Sequence, residues 1–417
     1  MQNKKKQSIL FVHQNFPGQF KHLAAACVKK GDEVVAIGHH ANPIPSGVNH
    51  LRYPRPQIQR TGLHPWLADF ETKFARAYAT RELALKLRQQ GFSPDVIVAH
   101  PGWGEATFLK QVWPTARLGL YAEFFYRAQG ADVGFDPEFA SVDRDDASRL
   151  LMKNASNYLQ FPNAEAYLCP TQWQAQTFPV EWQPRLSVIH EGVDTHALRP
   201  TQAKAVVLPN GRKINHAQKV VTFVARNLEP YRGYHIFMRA LPQLQAAVPD
   251  AEILIVGGDG TSYGSPASAG TTWKEKFWNE VKDSLNQDKV HFLGHLPYEQ
   301  YLAVLNISSV HVYLTYPFVL SWSLLEAMSL GKAIVASDTP PVKEVLTHDK
   351  EGLLVPFFDT QALSQSIARL LSSDSERQRL GSAARNRMVS TYDRDTLCIP
   401  QQLAWIDKLL HLPLRNT

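Results

Sequence analysis

One stretch of the sequence, residues 313–356, does most to restrict the folds open to this chain. An apolar strand is followed by a polar loop, and a helix is expected over 322–330, where Gly331 stops it. A second apolar strand, over 333–336, comes directly after. A helix between two buried strands is typical of a parallel sheet in an α/β protein. The loop then lies at the carboxyl end of a strand, where such proteins hold phosphate groups.

Glu326 is the carboxylate of this stretch, and it lies in the first turns of the expected helix. A carboxylate at that place can accept hydrogen bonds from the hydroxyl groups of a sugar. An ordinary crossover helix with a solvated glutamate explains the same pattern. The stretch alone therefore leaves a sugar-phosphate site and a plain structural crossover as two open interpretations.

The same alternation of strand and helix runs through most of the chain. Strands are expected at residues 8–13, 33–37, 95–100, 117–122, 164–169 and 186–190, and again at 220–226, 251–258, 289–294 and 310–315. A polar break at 199–218 separates the two series. The pattern predicts two doubly wound parallel-sheet domains, and ligands of such proteins bind in the cleft between them.

The composition is that of a globular protein without a membrane span. Apolar residues make up 44% of the chain, and no apolar run approaches the ~20 residues that a spanning helix needs. No small-residue cleavage site follows the basic start of the chain, which argues against a signal peptide. Cys27, Cys169 and Cys398 are far apart and lack metal-ligand spacing. This favours buried thiols in a reducing cytoplasm and hence a cytoplasmic protein.

The net charge of +6 restricts the partners. It suits an anionic substrate or loose, peripheral contact with the anionic inner surface of a membrane. No predicted helix carries the basic stripe with interleaved aromatic residues that indicates nucleic-acid binding. We therefore expect no nucleic-acid partner.

Polar residues and glycine stand where several expected strands end. Gly18 follows the first strand, and a glycine lets the backbone approach a ligand at a helix N-terminus. His100 ends the strand at 95–100, and Glu123 follows the strand at 117–122. The carboxyl ends of parallel strands form the ligand-facing edge of an open sheet. A turn glycine and a structural histidine remain the alternatives at the first two positions.

Arg226 and Arg232 lie at one strand–helix junction. Guanidinium groups stay charged and can fork onto phosphate oxygens. Together with the N-terminus of helix 322–330 they would stabilise a diphosphate from two sides, with Glu326 on the ribose. The alternative is that both arginines pair with Glu229 at the surface. No DxD pair is placed to hold a metal, so positive side chains and helix dipoles would do the work of Mg²⁺.

Motifs in the expected order resemble those of the GT-B fold retaining glycosyltransferases of family 4 (glycosyl transferases group 1). They are FPGQF, DVIVAH, VIHEGVDTHALRP, VARNLEPYRGY and the strands LIVGGDG, HFLGHLP and SLLEAMSLGKAIVAS. The resemblance covers nearly the whole chain. It implies two Rossmann-like doubly wound domains facing across a cleft: an acceptor-side domain over 1–200, completed by a helix at 393–417 that crosses back, and a nucleotide-sugar-binding domain over 201–392.

The resemblance implies roles for single residues. Arg226 and Arg232 would bind the donor diphosphate, Glu326 the ribose, and His100 the donor sugar near the bond that breaks. Glu123 is a further candidate contact to the sugar or the acceptor. The remaining donor-side candidates lie at strand ends or around the start of the helix: Gly18, His295, Leu296, Ser321, Trp322 and Ser323.

Phe318 departs from the family pattern, because it stands where the first glutamate of the EX7E motif is expected. In the family that glutamate contacts the 3- and 4-hydroxyls of the donor sugar. Here the contact would be absent or supplied by the backbone, and Phe318 itself becomes a candidate contact to the sugar or the acceptor. The identity of the donor sugar is therefore the least determined part of the interpretation.

The implied reaction transfers a sugar from a nucleotide sugar, such as UDP-glucose, to a hydroxyl of a glycan or lipid-linked acceptor, as in polysaccharide biosynthesis. It proceeds with retention at the anomeric carbon and needs no protein nucleophile, because the leaving phosphate takes the proton of the acceptor. With no DxD pair placed to hold a metal, no metal or cofactor is expected. Three alternatives stay open: a nucleotide-sugar epimerase, a sugar phosphorylase on the same fold, and a non-catalytic sugar-nucleotide-binding protein.

Overall fold

A computed structural model describes residues 6–59, 61–140, 145–201 and 205–415. The chain divides into two compact units. The first unit comprises Met1–Gln129, Phe139–Gly192 and Arg394–Thr417, and the second comprises Gly130–Glu138 and Val193–Asp393. Each unit is therefore built from separate pieces of the sequence.

Within its described residues, the first unit is built on a seven-stranded parallel sheet. Its strands are β1 (Ser8–Val12), β2 (Glu33–Gly38), β3 (Asn49–Arg52), β4 (Val96–Ala99), β5 (Arg117–Tyr121), β6 (Ala166–Cys169) and β7 (Leu186–Val188). Their order in the sheet is β3-β2-β1-β4-β5-β6-β7. Its first helices are α1 (Lys21–Lys30), α2 (Ala68–Gln89), α3 (Leu109–Val112), α4 (Asp146–Lys153), α5 (Ala155–Gln160) and α6 (Gln172–Ala175).

Both faces of this sheet are buried, as the uninterrupted apolar run of β1 predicts. Leu10 and Val12 belong to one apolar core, whereas Ile9 and Phe11 belong to the core on the other face. Since alternate residues of a strand point to opposite faces, a single short strand supports two cores. Covering both faces with helices is what makes the unit doubly wound.

The second unit has, in its described part, a six-stranded parallel sheet and a small antiparallel hairpin. The hairpin strands are β8 (Val206–Val207) and β9 (Lys213–Ile214). The sheet strands are β10 (Val220–Asn227), β11 (Glu252–Gly258), β12 (Val290–Gly294), β13 (Val310–Tyr313), β14 (Ala333–Ser337) and β15 (Leu353–Val355), in the order β12-β11-β10-β13-β14-β15. The helices are α7 (Tyr234–Ala247), α8 (Trp273–Val281), α9 (Tyr298–Ile307), α10 (Trp322–Ser329), α11 (Pro340–Val345), α12 (Thr360–Leu371) and α13 (Asp374–Thr391).

The last helix, α14 (Ile399–Leu409), belongs to the first unit. Trp405, Ile406 and Leu409 of α14 lie in the apolar core that also holds Phe11 of β1. Gly119 makes this packing fit, because a Cβ atom there would lie 2.4 Å from Trp405 Cη2. A side chain at position 119 would therefore push α14 away from the sheet.

The expected fold class, two parallel-sheet α/β units, is confirmed. Shorter elements were not expected, among them β3, α11, β15 and the hairpin inside the polar break at 199–218. Cys27, Cys169 and Cys398 are buried free thiols, as expected. No helix in the described part of the chain is long and apolar enough to cross a membrane.

Candidate functional site

The first unit brings His100 and Glu123 together after β4 and β5. Nε2 of His100 lies 3.4 Å from Glu123 Oε2. The backbone N–H of Gly102 donates to His100 Nδ1 at 3.1 Å, so Nε2 carries the proton that faces the carboxylate. Gln19 donates from Nε2 to Glu123 Oε1 at 2.7 Å. A carboxylate held in this way suits the binding of hydroxyl groups.

His13 joins the same cluster, although the sequence did not single it out as a site residue. Its ring centroid lies 5.1 Å from that of His100, and its Nε2 lies 2.8 Å from Gln19 Oε1. The N–H of Asn15 donates to His13 Nδ1 at 2.9 Å. Burial is the main cause, and the neighbouring His100 the next, of a pKa for His13 that is lowered to about 3. The imidazole of His13 is therefore neutral near pH 7. A third polar residue at a strand end, in SILFVH, was the available signal.

The charge of Glu123 is set by these neighbours. Burial alone would raise the pKa of Glu123, but hydrogen bonds from His100 and Gln19 outweigh it and hold the pKa below its usual range. Gly18 packs directly on the cluster: a Cβ atom there would lie 2.7 Å from His13 Nε2. Its φ of 46° is also one that glycine adopts without strain. The close packing on His13 explains on structural grounds why glycine occupies position 18. That Gly18 contacts a ligand stays a prediction.

In the second unit, Arg232 lies in a short turn before α7 and is buried. Its Nη1 donates to Tyr313 OH at 3.2 Å and to Thr315 Oγ1 at 2.7 Å. It also donates to the carbonyl of Val319 at 3.0 Å. These contacts tie the turn to the loop after β13, which leads into α10. The guanidinium is thus fixed near the carboxyl end of β13, and its contact with a diphosphate stays a prediction.

Arg226, near the end of β10, has a different environment. Its side chain is exposed, and among the described residues it makes no hydrogen bond or ion pair. The alternative partner Glu229 is buried and accepts hydrogen bonds from the backbone N–H groups of residues 262–264 at 3.2–3.3 Å. Glu229 therefore anchors the loop after β11, and Arg226 keeps its charge available.

The start of α10 is capped and polar. Ser321 is the N-cap, and its side chain accepts from the N–H of Ser323 at 3.4 Å. Tyr313 OH accepts from the N–H of Ser321 at 2.7 Å. Trp322 is exposed at the first position of the helix. Since the first N–H groups of a helix have no intrahelical partner, this end can bind an anion.

Glu326 lies one turn further along α10 and accepts two phenolic hydrogen bonds. Tyr298 OH donates to Oε1 at 2.8 Å, and Tyr301 OH donates to Oε2 at 2.5 Å. Both tyrosines come from α9, and the sequence did not identify them. Burial raises the pKa of Glu326, while the two tyrosine hydrogen bonds oppose that rise. The carboxylate is thus presented to hydroxyl donors, which is the chemistry that ribose offers.

His295 and Leu296 follow β12, the edge strand next to β11. The imidazole of His295 lies on the backbone of Gly258, where a Cβ atom would come within 2.0 Å of Nε2. A residue larger than glycine at 258 would displace the ring. The structure thus pairs the end of β11 with the turn that the sequence assigned to the base of a nucleotide.

Phe318 is buried in a group of aromatic rings. Its ring centroid lies 5.5 Å from that of Tyr231 and 5.2 Å from that of Tyr263. The guanidinium of Arg232 lies 5.0 Å from the centroid of the Tyr263 ring. The aromatic rings around Phe318 therefore border the arginine that is predicted to bind the diphosphate. The part of the chain that the structure describes contains no group of three or more His, Cys, Asp or Glu side chains arranged to hold a metal ion.

Solved structures with this fold are similar over nearly the full chain. Sucrose-phosphate synthase from Thermosynechococcus elongatus superposes with a TM-score of 0.72 at 18% identity, covering 97% of this chain and 99% of that one. Anabaena Alr3699/HepE in complex with UDP and glucose gives 0.67 at 16% identity, covering 96% and 99%. At such identities the likeness shows the fold, which is GT-B.

Sequence comparison finds relatives over part of the chain. The phosphatidyl-myo-inositol mannosyltransferase of Mycolicibacterium smegmatis is 29% identical over 181 residues, which is 42% of each chain. The chain thus matches about half or less of the length of such curated relatives. Two family models match in succession: "Glycosyl transferase family 4 group" over residues 30–198 and "Glycosyl transferases group 1" over 208–387. The chain belongs to the family 4, group 1 glycosyltransferases of the GT-B fold.

Proposed function

We propose that the protein transfers a hexose from a nucleotide sugar, UDP-linked, to a hydroxyl group of a glycan or lipid-linked acceptor. One observation carries the proposal. The second unit gathers Arg232, the capped N-terminus of α10 and the carboxylate of Glu326 near the carboxyl ends of its parallel strands. A nucleotide diphosphate sugar requires a cation and a helix N-terminus to bind its phosphates, and a carboxylate to accept hydrogen bonds from its ribose hydroxyls.

The donor would bind by exchanging contacts that the structure already contains. Arg226 and Arg232 would face the diphosphate, with the N–H groups of Trp322 and Ser323 at the start of α10. The ribose hydroxyls would take the place of tyrosine hydroxyls on Glu326. The base would lie at His295 and Leu296. A UDP-linked donor is supported by the solved structure of Anabaena Alr3699/HepE, which has a similar fold and is in complex with UDP and glucose.

In the proposed reaction the acceptor oxygen forms a bond to the anomeric carbon while the bond from that carbon to the diphosphate oxygen breaks. The leaving phosphate oxygen takes the acceptor's proton, on the same face of the sugar, so configuration is retained. Negative charge grows on the diphosphate during this step. Arg226, Arg232 and the α10 dipole stabilise it, which is how preorganised positive groups lower a barrier.

The first-unit cluster is proposed to bind sugar hydroxyls, with His100 on the donor sugar and Glu123 on the sugar or the acceptor. The charged carboxylate of Glu123 supports this role. A lipid-linked acceptor is supported by the similarity to the phosphatidyl-myo-inositol mannosyltransferase of Mycolicibacterium smegmatis. Peripheral contact with an anionic membrane would suit the net charge of +6.

The proposal is tested first by ligand binding. Thermal unfolding of the full chain is recorded with a panel of UDP-, GDP- and ADP-sugars, because a ligand that binds only the folded state raises the Tm. We expect UDP-sugars to give the largest rise. Nucleotide release is then followed with and without an acceptor glycan, and transfer requires that release depend on the acceptor.

Three substitutions test the assigned residues. We expect Arg226→Ala, Arg232→Ala and Glu326→Ala each to lower the rate of sugar transfer by roughly 100-fold. Arg226 is exposed, so its variant separates loss of charge from loss of folding. Arg379→Ala, which removes an exposed arginine paired with Asp349, is the matched control. Unchanged product yield from Arg226→Ala and Glu326→Ala together would refute the proposal.

A further inference from the structure

The chain leaves the first unit after Gln129, contributes Gly130–Glu138 to the second unit, and returns at Phe139. This acidic segment carries Asp132, Asp136 and Glu138. Asp132 is 4% exposed and Asp136 is 3% exposed. Carboxylates are buried to that degree only when they have partners, because an unpaired buried charge costs several kcal/mol. The segment therefore has packing partners of its own and is more than a connection between β5 and α4.

The two buried carboxylates hold two tyrosines. Tyr231 OH donates to Asp132 Oδ2 at 2.6 Å. Tyr316 OH donates to Asp136 Oδ2 at 2.7 Å, and His235 Nε2 lies 3.0 Å from the same oxygen. Burial alone would raise the pKa of Asp136, but the contacts with His235 and Tyr316 outweigh it and lower the pKa. Asp136 is thus a charged, fully engaged acceptor.

An aromatic anchor holds the acidic segment between these two contacts. The ring of Phe135 lies 5.1 Å from that of Tyr316 and 5.3 Å from those of Phe357 and Phe358. Aromatic pairs at such distances add to the free energy of burial. The packing of Phe135 therefore fixes the position of the acidic segment within the second unit.

The two tyrosines border the residues assigned to the donor. Tyr231 directly precedes Arg232, and its ring contacts that of Phe318. Tyr231 and Tyr316 lie with ring centroids 4.7 Å apart, and the N–H of Tyr316 donates to the carbonyl of Tyr231 at 3.0 Å. The Arg232 turn and the loop after β13 are thus joined through this pair.

We infer that the acidic segment Gly130–Glu138 is a positioning element of the nucleotide-sugar site: Asp132 and Asp136 hold Tyr231 and Tyr316, and so fix the turn that carries Arg232 and the loop that leads to α10. Its role in donor binding rests on the proposed function. The fixing of the turn and loop does not, and it is measurable without any ligand.

Glu138 provides a control within the same segment. It is exposed and makes a two-pronged contact with Arg239, at 2.6 and 3.0 Å, and Arg239 also pairs with Glu280. Glu138→Gln therefore removes a charge from the acidic segment without touching either tyrosine. The variant thus controls for loss of a negative charge from the segment.

The functional test compares Asp132→Asn, Asp136→Asn, Tyr316→Phe and Glu138→Gln in the full chain. We expect the Kd for UDP and the KM for the UDP-sugar to rise about tenfold in the first three variants, the effect of losing one hydrogen bond to a charged group. Glu138→Gln should stay within about twofold. The KM for the acceptor should not change, whereas loss of folded protein would lower kcat and leave both KM values alone. Tyr316→Phe removes a single hydroxyl, so it keeps the test valid if an aspartate variant fails to fold.

Hydrogen exchange gives a readout that needs no donor. We expect amides in residues 231–233 and 316–321 to exchange faster in Asp136→Asn and Tyr316→Phe than in the wild type, with Glu138→Gln unchanged. Unchanged exchange in both variants would overturn the inference. Faster exchange with unchanged UDP affinity would also overturn it, because the segment would then position nothing that the donor contacts. If the wild type binds no nucleotide sugar, the proposed function fails, and the exchange result alone decides whether the segment fixes the turn and loop.

Discussion

The imidazole of His13 makes the stability of the first unit depend on pH. It directly follows β1, and His13 is 3% exposed. Its Nδ1 accepts from the N–H of Asn15, and its Nε2 faces Gln19 Oε1. A second proton on the ring would therefore break the Asn15 hydrogen bond and create a buried charge. Burial, followed by the nearby His100, lowers the pKa from 6.5 to about 3.

The two pKa values give the size of the effect. Above pH 6.5 the imidazole is neutral in the folded and unfolded states, so it adds no pH dependence. Below that value the unfolded chain binds a proton that the folded chain does not, and the free energy of unfolding falls by about 1.4 kcal/mol per pH unit. The fall continues until the pH approaches about 3. Between pH 7 and pH 5 it amounts to about 2 kcal/mol.

The assay follows the first unit by itself. Urea titrations at pH 7, 6 and 5 are read by pulsed hydrogen exchange and mass spectrometry of the peptide that contains β1. The difference in unfolding free energy between the wild type and His13→Gln, which cannot titrate, should change by about 2 kcal/mol between pH 7 and pH 5. His411→Gln, at an exposed position, is the control for replacing a histidine with glutamine. The reasoning is refuted if the wild type and His13→Gln depend on pH equally.

Two further predictions concern the first unit. Gly119→Ala should lower the free energy of unfolding by about 1–3 kcal/mol, because its Cβ atom would meet Trp405 Cη2 at 2.4 Å, and Trp405→Phe should recover part of the loss in denaturant titrations. Glu165→Gln should cost about 3–5 kcal/mol, since it leaves the buried ammonium of Lys110, 2.9 Å from Glu165 Oε1, without a counter-charge. Adding Lys110→Met to Glu165→Gln should restore most of that stability, and no recovery would contradict the argument.

Most of the sheet framework could be predicted from the sequence. The short apolar runs at 8–13, 95–100 and 220–226 correspond to β1, β4 and β10, because a strand buried on both faces is apolar at nearly every position. The helix after β13 was equally well marked, by serines at its start and Gly331 at its end. Short elements such as β3 and α11 were missed because they carry too few residues for a period to show.

The partners of the site residues could not be predicted. Arg232 and Glu326 were proposed as site residues from their places at a strand end and a helix start, but nothing local indicates that Tyr301 donates to Glu326. The contact between Asp136 and Tyr316 joins residues 180 positions apart in sequence. Such contacts depend on where the folded chain passes. Strand ends predict candidate positions, and the tertiary fold decides which side chains meet there.

The interleaved path of the chain has a consequence for synthesis on the ribosome. The apolar core on one face of the first sheet is completed by Trp405, Ile406 and Leu409, which are translated after every residue of the second unit. The second unit, by contrast, receives Gly130–Glu138 early and has its last helix, α13, before α14 emerges. Domains usually mature from the N-terminus during translation. Here the N-terminal unit is the later one to close. Until it does, the part of the apolar sheet face that α1 does not cover is open to chaperones and to aggregation.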